Sequence, residues 1–144
     1  MNSRAIHPDF LTLLKLKGPV LVEIFTDLRA FVMDIYPDCY ELLYHTHALT
    51  AVFSITEKLS DAYCMLPVYT NHVNLGFNKG TLLDDPHKLL QGTGKLIRHI
   101  PVISYGDYRN NKVKALISSA IDLAKKDYEN IARGNGKTIS KIKK

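Results

Sequence analysis

Residues 92–99 read Gly-Thr-Gly-Lys-Leu-Ile-Arg-His, and no other stretch of the chain looks more like a ligand site. Gly92 and Gly94 allow close approach of backbone to a ligand, and successive N–H groups in a glycine-rich turn form an anion nest. Lys95 adds a point charge, and Arg98 a planar fork that matches a carboxylate or phosphate. A nucleotide-binding phosphate loop is excluded by spacing. Leu89 stands five residues before Gly94 where that loop has glycine, and Leu96 stands where Ser or Thr would hold magnesium. The competing reading makes Gly92 a helix terminator, Gly94 a turn residue and the two cations partners of Asp84 or Asp85. On a regular strand Lys95 and His99 share one face while Arg98 points to the other, so convergence of all three requires a bulge.

Histidine supplies the second group. His45 and His47 lie two apart, on one side of an extended segment, and His72 and His99 fall on other segments. Imidazoles of neighbouring strands, completed by Glu41 or Asp61, would make a hard-ligand metal site with His45 and His47 as its candidates. Leu43 shares their face, which equally suits structural histidines at a core edge. Tyr44, His72, Asn74 and His99 could line a cleft with acid–base capacity. The chain has no Gly-x-Ser-x-Gly elbow and no His-Glu-x-x-His, so an enzyme using that cleft ranks behind a binding role. Cys39 and Cys64 lack Cys-x-x-Cys spacing and read as small buried hydrophobes.

The elements that hold these residues follow from periodicity. A helix is expected over 9–16 behind Pro8, stopped by Gly18. A second begins at Pro19, carries Leu21, Ile24, Phe25, Leu28, Val32 and Ile35 on one face, and ends at Pro37. Glu23, Asp27, Arg29 and Asp34 fall off that stripe. From residue 41 the period drops to two, predicting strands over 41–47, 50–55, 62–66 and 72–77, joined by segments short enough for a meander. Val73, Leu75 and Phe77 alternate with His72, Asn74 and Gly76, so the second set faces solvent or a cleft. Asp85-Pro86 predicts a short helix over 86–90 with Gly92 as its terminator, followed by a fifth strand over 95–103. A long helix from 107 carries Val113, Leu116, Ile117, Ala120, Ile121, Ala124, Tyr128 and Ile131, with Gly134 closing it. The fold class is therefore α+β, an antiparallel sheet of about five strands with helices packed on one face. One domain is expected over 1–132 and a basic tail over 133–144.

With 144 residues, 46% hydrophobic and 23% charged, the chain is long enough for one core. It has no apolar run of the ~20 residues that cross a bilayer. It also lacks the apolar stretch of a secretory signal, so a cytoplasmic location without a membrane partner is expected. The net charge of +5 is local. Arg133, Lys137, Lys141, Lys143 and Lys144 account for five of the 19 basic residues, leaving 14 against 14 acids elsewhere. Nucleic acid is thus an expected partner of the tail at most.

From Tyr36 to Ile103 the chain resembles the YdhG-like family, a domain of unknown function. The segments that carry the resemblance are Ile35-Tyr36-Pro37, Asn71-His72-Val73-Asn74-Leu75-Gly76-Phe77, Lys79-Gly80-x-x-Leu83-x-Asp85-Pro86 and Leu89-Leu90-x-Gly92-Thr93-Gly94-Lys95-x-x-Arg98-His99. The resemblance implies a frataxin-like α/β sandwich. It also implies iron as a cofactor or cargo, since some members are described as iron chaperones for iron–sulfur cluster assembly. Frataxin-type iron binding uses an acidic helix and sheet edge, whereas Asp9, Glu23, Asp27 and Asp34 are scattered here and the shared motif is cationic. The leading expectation is a non-enzymatic module for a small anionic ligand or an acidic protein segment, with Gly92, Gly94, Lys95, Arg98, His99, His72, Asn74 and Tyr44 in contact. Iron delivery through His45 and His47 is the alternative, and catalysis in the cleft the third.

Overall fold

Pro8 and Pro19 open the first two helices, α1 (Pro8–Lys15) and α2 (Pro19–Ile35), each with proline in the first turn, where its missing N–H costs nothing. In the computed structural model, which describes residues 4–126, 128 and 136–143, α1 is capped by His7, whose Nδ1 accepts the Asp9 N–H at 3.0 Å. The stripe read from the sequence is the buried face of α2: Leu21, Ile24, Phe25, Leu28 and Val32 face inward, joined by Met33 and Arg29. Phe10 of α1 stacks on Phe25 at 4.8 Å between ring centres, which joins the two helices.

The meander follows in chain order: β1 (Tyr40–His45), β2 (Leu49–Ser54), β3 (Ala62–Val68), β4 (Val73–Phe77) and β5 (Arg98–Val102), each antiparallel to the one before. A third helix, α3 (Asn111–Lys125), precedes a short sixth strand, β6 (Thr138–Ser140), which pairs parallel to the outer side of β1. The described sheet is thus six-stranded and mixed, in the order β5-β4-β3-β2-β1-β6, rather than five-stranded and antiparallel.

All three helices contribute to one core with the inward residues of the sheet, among them Leu43, Ala51, Phe53, Leu66, Leu75 and Ile100. On the other face Leu42, Val52 and Ala62 form a smaller cluster flanked by Tyr40, Tyr44, Met65 and Ile139, with no helix residue among the described ones. The broad class, α+β with helices on one side, is as expected.

Three expectations about elements differ. Residues 86–90 form no helix: Asp85 does cap, accepting the N–H groups of Leu89 and Leu90 at 3.0 and 2.9 Å, but Lys88 turns the chain away at φ 53°. The last helix begins at Asn111, because Asn110 accepts the Val113 N–H at 2.9 Å as its N-cap, and Tyr105–Asp107 is a separate 3-10 turn. The basic segment read as a tail supplies β6. Its Thr138 hydroxyl donates to Glu41 at 2.8 Å and its Ser140 hydroxyl to Asp9 at 2.7 Å. Ile131 and Gly134, assigned to the last helix, lie outside the described residues.

One buried ion pair ties these pieces together. Arg29 donates to both carboxylate oxygens of Glu41 at 2.7 and 2.9 Å, and its remaining N–H groups reach the carbonyls of Arg4 and Ala5. The two residues are 5% and 1% exposed, so every donor and acceptor must be matched inside the fold.

Candidate functional site

The 92–99 stretch folds onto itself. Gly92 adopts φ +132°, which only glycine takes without strain, and the turn wraps the Arg98 side chain. Arg98 then donates through Nη1 to the carbonyls of Gly94 and Ile97 at 2.7 and 2.8 Å. The fork expected to bind an anion thus fastens its own loop. Thr81 holds the tip from the other side, its N–H reaching the Leu96 carbonyl at 3.0 Å and its hydroxyl the Lys95 carbonyl at 2.9 Å. Lys95 is exposed, and a side chain at Gly94 would meet nothing within 4 Å. This tip is therefore an open projection with its carbonyls turned to Arg98, not an anion nest.

His99 and Arg98 separate to opposite faces of β5, as strand geometry requires. His99 pairs with Gly76 across to β4, while Pro101 pairs with Asn74. His72, Asn74 and His99 consequently share the helix-free face, where the Asn74 Oδ1 is buried without a hydrogen-bond partner. His72 stacks on Tyr69 at 5.1 Å. Tyr44 does not join them: β2 and β3 lie between its strand and β4, a separation of about 14 Å from strand spacing alone. The cleft expected from Tyr44, His72, Asn74 and His99 is not assembled.

The metal candidates are also dispersed. His45 is the last residue of β1 and His47 lies in the following turn, both exposed. Glu41, considered as a third ligand, belongs to the buried pair with Arg29. Asp61 accepts hydrogen bonds from the hydroxyls of Thr56 and Tyr128 at 2.6 and 2.7 Å. Among the described residues no three His, Cys, Asp or Glu side chains are grouped to hold a metal, so this donor set does not fit the iron that the family resemblance implies. The cysteines are buried and free; burial pushes the Cys39 thiol up to about 11 and the Cys64 thiol well above its ordinary value.

The concave surface lies next to the predicted loop, on its stem. Gln91 and His99 exchange backbone hydrogen bonds at 2.8 and 2.9 Å, which folds residues 84–91 along the outer edge of β5. Between this stem, the end of β5 and the start of α3 runs a groove of about 710 Å³, walled by Leu89, Ile100, Pro101, Ile103 and Val113 with Gln91 at one side. A second groove of about 370 Å³, between Asp84–Leu89 and α3, adjoins the first and shares Leu89, Asn111 and Lys112 with it.

The polar groups of this groove are arranged by the turn that precedes α3. Ser104 and Asp107 form a capping box, and the Asp107 carboxylate accepts the N–H groups of Ile103 and Ser104 at 2.8 and 3.0 Å. Asp85 is occupied by its own backbone caps, as above. Two of the lining acids are thus satisfied by backbone donors, whereas Lys112 stands exposed at the start of α3, where the helix dipole adds positive potential.

The groove wall is fixed to α2 by a second ion pair. Arg109 reaches Asp27 at 2.7 and 2.9 Å, the Tyr108 hydroxyl donates to the same carboxylate, and the guanidinium lies over the Phe31 ring. The hydrogen bond from Arg109 holds the Asp27 carboxyl below its ordinary value, and burial raises Tyr108. The sequence reading missed Leu89, Gln91, Ile103, Asn111 and Lys112. The available signal was Arg109-Asn110-Asn111, a cap sequence that moves the helix start past 107 and opens space beside Ile103. No protein-family model matches the chain, and neither does any curated protein or solved structure.

Proposed function

We propose that this chain is a non-enzymatic binding module whose ligand is a small amphipathic anion, received in the groove between β5, the 84–91 stem and the start of α3. The observation that carries the reading is that groove, about 710 Å³ and adjoining a second one, with apolar walls and Lys112 at its edge. Ligand sites have this character: a concave apolar surface of hundreds of cubic ångströms with a few polar groups that fix orientation. An acidic protein segment would use the same charge but needs a longer trough.

The finer fold reading belongs here as well. A frataxin-like, YdhG-like sandwich is the finer fold proposed. Two helices, a meander and a closing helix on one side of the sheet support it, as do the motifs from Ile35 to His99. The parallel β6 departs from the antiparallel sheet expected of it. Two free buried thiols agree with a reducing, cytoplasmic setting. Iron delivery has no comparable support, since its donors are apart.

The test is a ¹⁵N NMR titration with octanoate, octanol and inorganic phosphate. Octanoate should shift the amides of Gln91, Ile103, Asn111 and Lys112 together and saturably, and Lys112→Ala should weaken it about fivefold, as expected for one partly exposed charge. Shifts confined to the 92–98 tip, or octanol binding as tightly as octanoate, would overturn the reading.

A further inference from the structure

One end of the molecule gathers every turn that the meander makes on that side. There β1, β3, β5 and β6 end, β2 and β4 begin, and the α1–α2 corner and the β5–α3 connection lie beside them. Aliphatic side chains project from this end without cover: Leu16 is 81% exposed, Val20 70% and Ile103 75%. Tyr69 and Tyr105 stand among them, half exposed.

These residues form one rim. Leu16 and Val20 flank Gly18 at the α1–α2 corner. Val20 is a turn of helix before Glu23, whose carboxylate lies close enough to Tyr105 to add to desolvation in raising its hydroxyl. Ile103 is two residues from Tyr105 and directly follows Val102, which pairs with Val73; His72 then leads back to Tyr69 through their stacked rings. Lysines border the rim. Lys15 and Lys17 flank Leu16, and Lys141 and Lys143 follow β6 at the same end, Lys143 lining a groove with Thr12 and Leu13 of α1. Two acids nearby are engaged: Asp27 by Arg109 and Asp107 by backbone N–H groups.

We infer that this end docks on an anionic lipid surface. Protruding aliphatics grouped at one end and bordered by lysines suit insertion between lipid chains beneath anionic headgroups. Tyrosines sit at the headgroup level, and the lysines meet the anionic charge without entering the hydrocarbon. No helix among the described residues is long and apolar enough to cross a membrane, and peripheral docking requires none. The inference shares Ile103 with the groove but does not require that the groove hold a ligand.

Vesicle flotation tests it. The full chain should float with vesicles of equal parts phosphatidylcholine and phosphatidylserine and stay behind with phosphatidylcholine alone, the binding falling as salt rises. Leu16→Asp with Val20→Asp should weaken flotation at least about tenfold, and Lys15→Glu with Lys17→Glu by a similar factor. Circular dichroism melts should change little, because Leu16, Val20 and Lys15 are exposed and Lys17 partly so. Equal flotation with both vesicles, none with either, or a concentration-dependent dimer that the aspartate variants dissolve would each overturn the inference. The last result would assign the rim to a second copy of the chain.

Discussion

Replacing Glu41 by Gln keeps the shape of the side chain and removes the charge that faces Arg29. The guanidinium would then face one amide oxygen, which can still accept one of the two bonds at 2.7 and 2.9 Å, and one NH2 group. That group sets donor against donor and leaves the buried cation without its counter-charge; the carbonyls of Arg4 and Ala5 remain. Because Arg29 is 5% exposed, water cannot take over. Breaking one partner of a buried pair costs about 3–5 kcal/mol, a large share of the roughly 5–15 kcal/mol that holds a domain together. In urea, with a slope of roughly 2 kcal/mol per molar for a chain of this size, the midpoint should fall by about 2 M. Arg29→Met should cost a comparable amount and also loosen the 4–5 segment, which keeps the Arg4 bonds to the carbonyls of Pro37 and Cys39. The double variant Arg29→Met with Glu41→Leu should be more stable than either single one, since no charge remains buried alone. The carbonyls of Arg4 and Ala5 and the Thr138 hydroxyl would still lack a partner, so recovery should be incomplete. A loss below about 1 kcal/mol for Glu41→Gln, or a double variant as weak as the sum of the singles, would refute the assignment of this pair as the internal tie of the fold.

Glycines on either side of the loop should behave oppositely: a Cβ at Gly80 would come within 2.5 Å of the Arg98 Cβ, so Gly80→Ala should destabilise by roughly 1–3 kcal/mol, whereas Gly94→Ala should stay within about 0.5 kcal/mol in thermal melts. Equal effects would mean that the tip is packed differently. The depressed Asp27 carboxyl contributes stability that is present above its unfolded value near 4 and is lost as pH falls through the folded value. Asp27→Asn should therefore lower stability at neutral pH, with the gap to the parent closing on acidification below about 4; a pH-independent gap would contradict the Arg109 pairing. At pH 8 the native protein should resist iodoacetamide at Cys39, whose thiol is pushed up to about 11, and at Cys64, while both react in denaturant. Fast native labelling would show that the thiols are open.

The helices and inner strands were legible because burial writes a period into the sequence. Leu21 to Val32 along α2 and Val73, Leu75 and Phe77 on β4 can be read from spacing alone. β6 was not, since Thr-Ile-Ser among lysines carries no alternation; the open flank of β1 makes it a strand. The short helix over 86–90 was misread because Asp85 caps the N–H groups of an irregular turn as readily as those of a helix. For the candidate site, residue types pointed to the 92–99 loop, whereas the concave surface lies along its stem. Arg98 looked free because its acceptors, the Gly94 and Ile97 carbonyls, belong to every sequence and to no motif. Arg29 and Glu41 looked like an off-stripe charge and a candidate ligand, and only the packing of α2 over β1 makes them a pair.

Pairing of β6 with β1 also has a consequence in time. Glu41 is 97 residues ahead of the Thr138 hydroxyl it accepts, and Asp9 is 131 ahead of Ser140. A ribosome that has just released the meander has therefore produced a sheet whose outer flank is still bare, and the Glu41 carboxylate waits for its last donor until the segment around 138 emerges. During that interval the unpaired flank is available to any other extended chain, so nascent-chain aggregation of this protein should be governed by how soon that segment arrives.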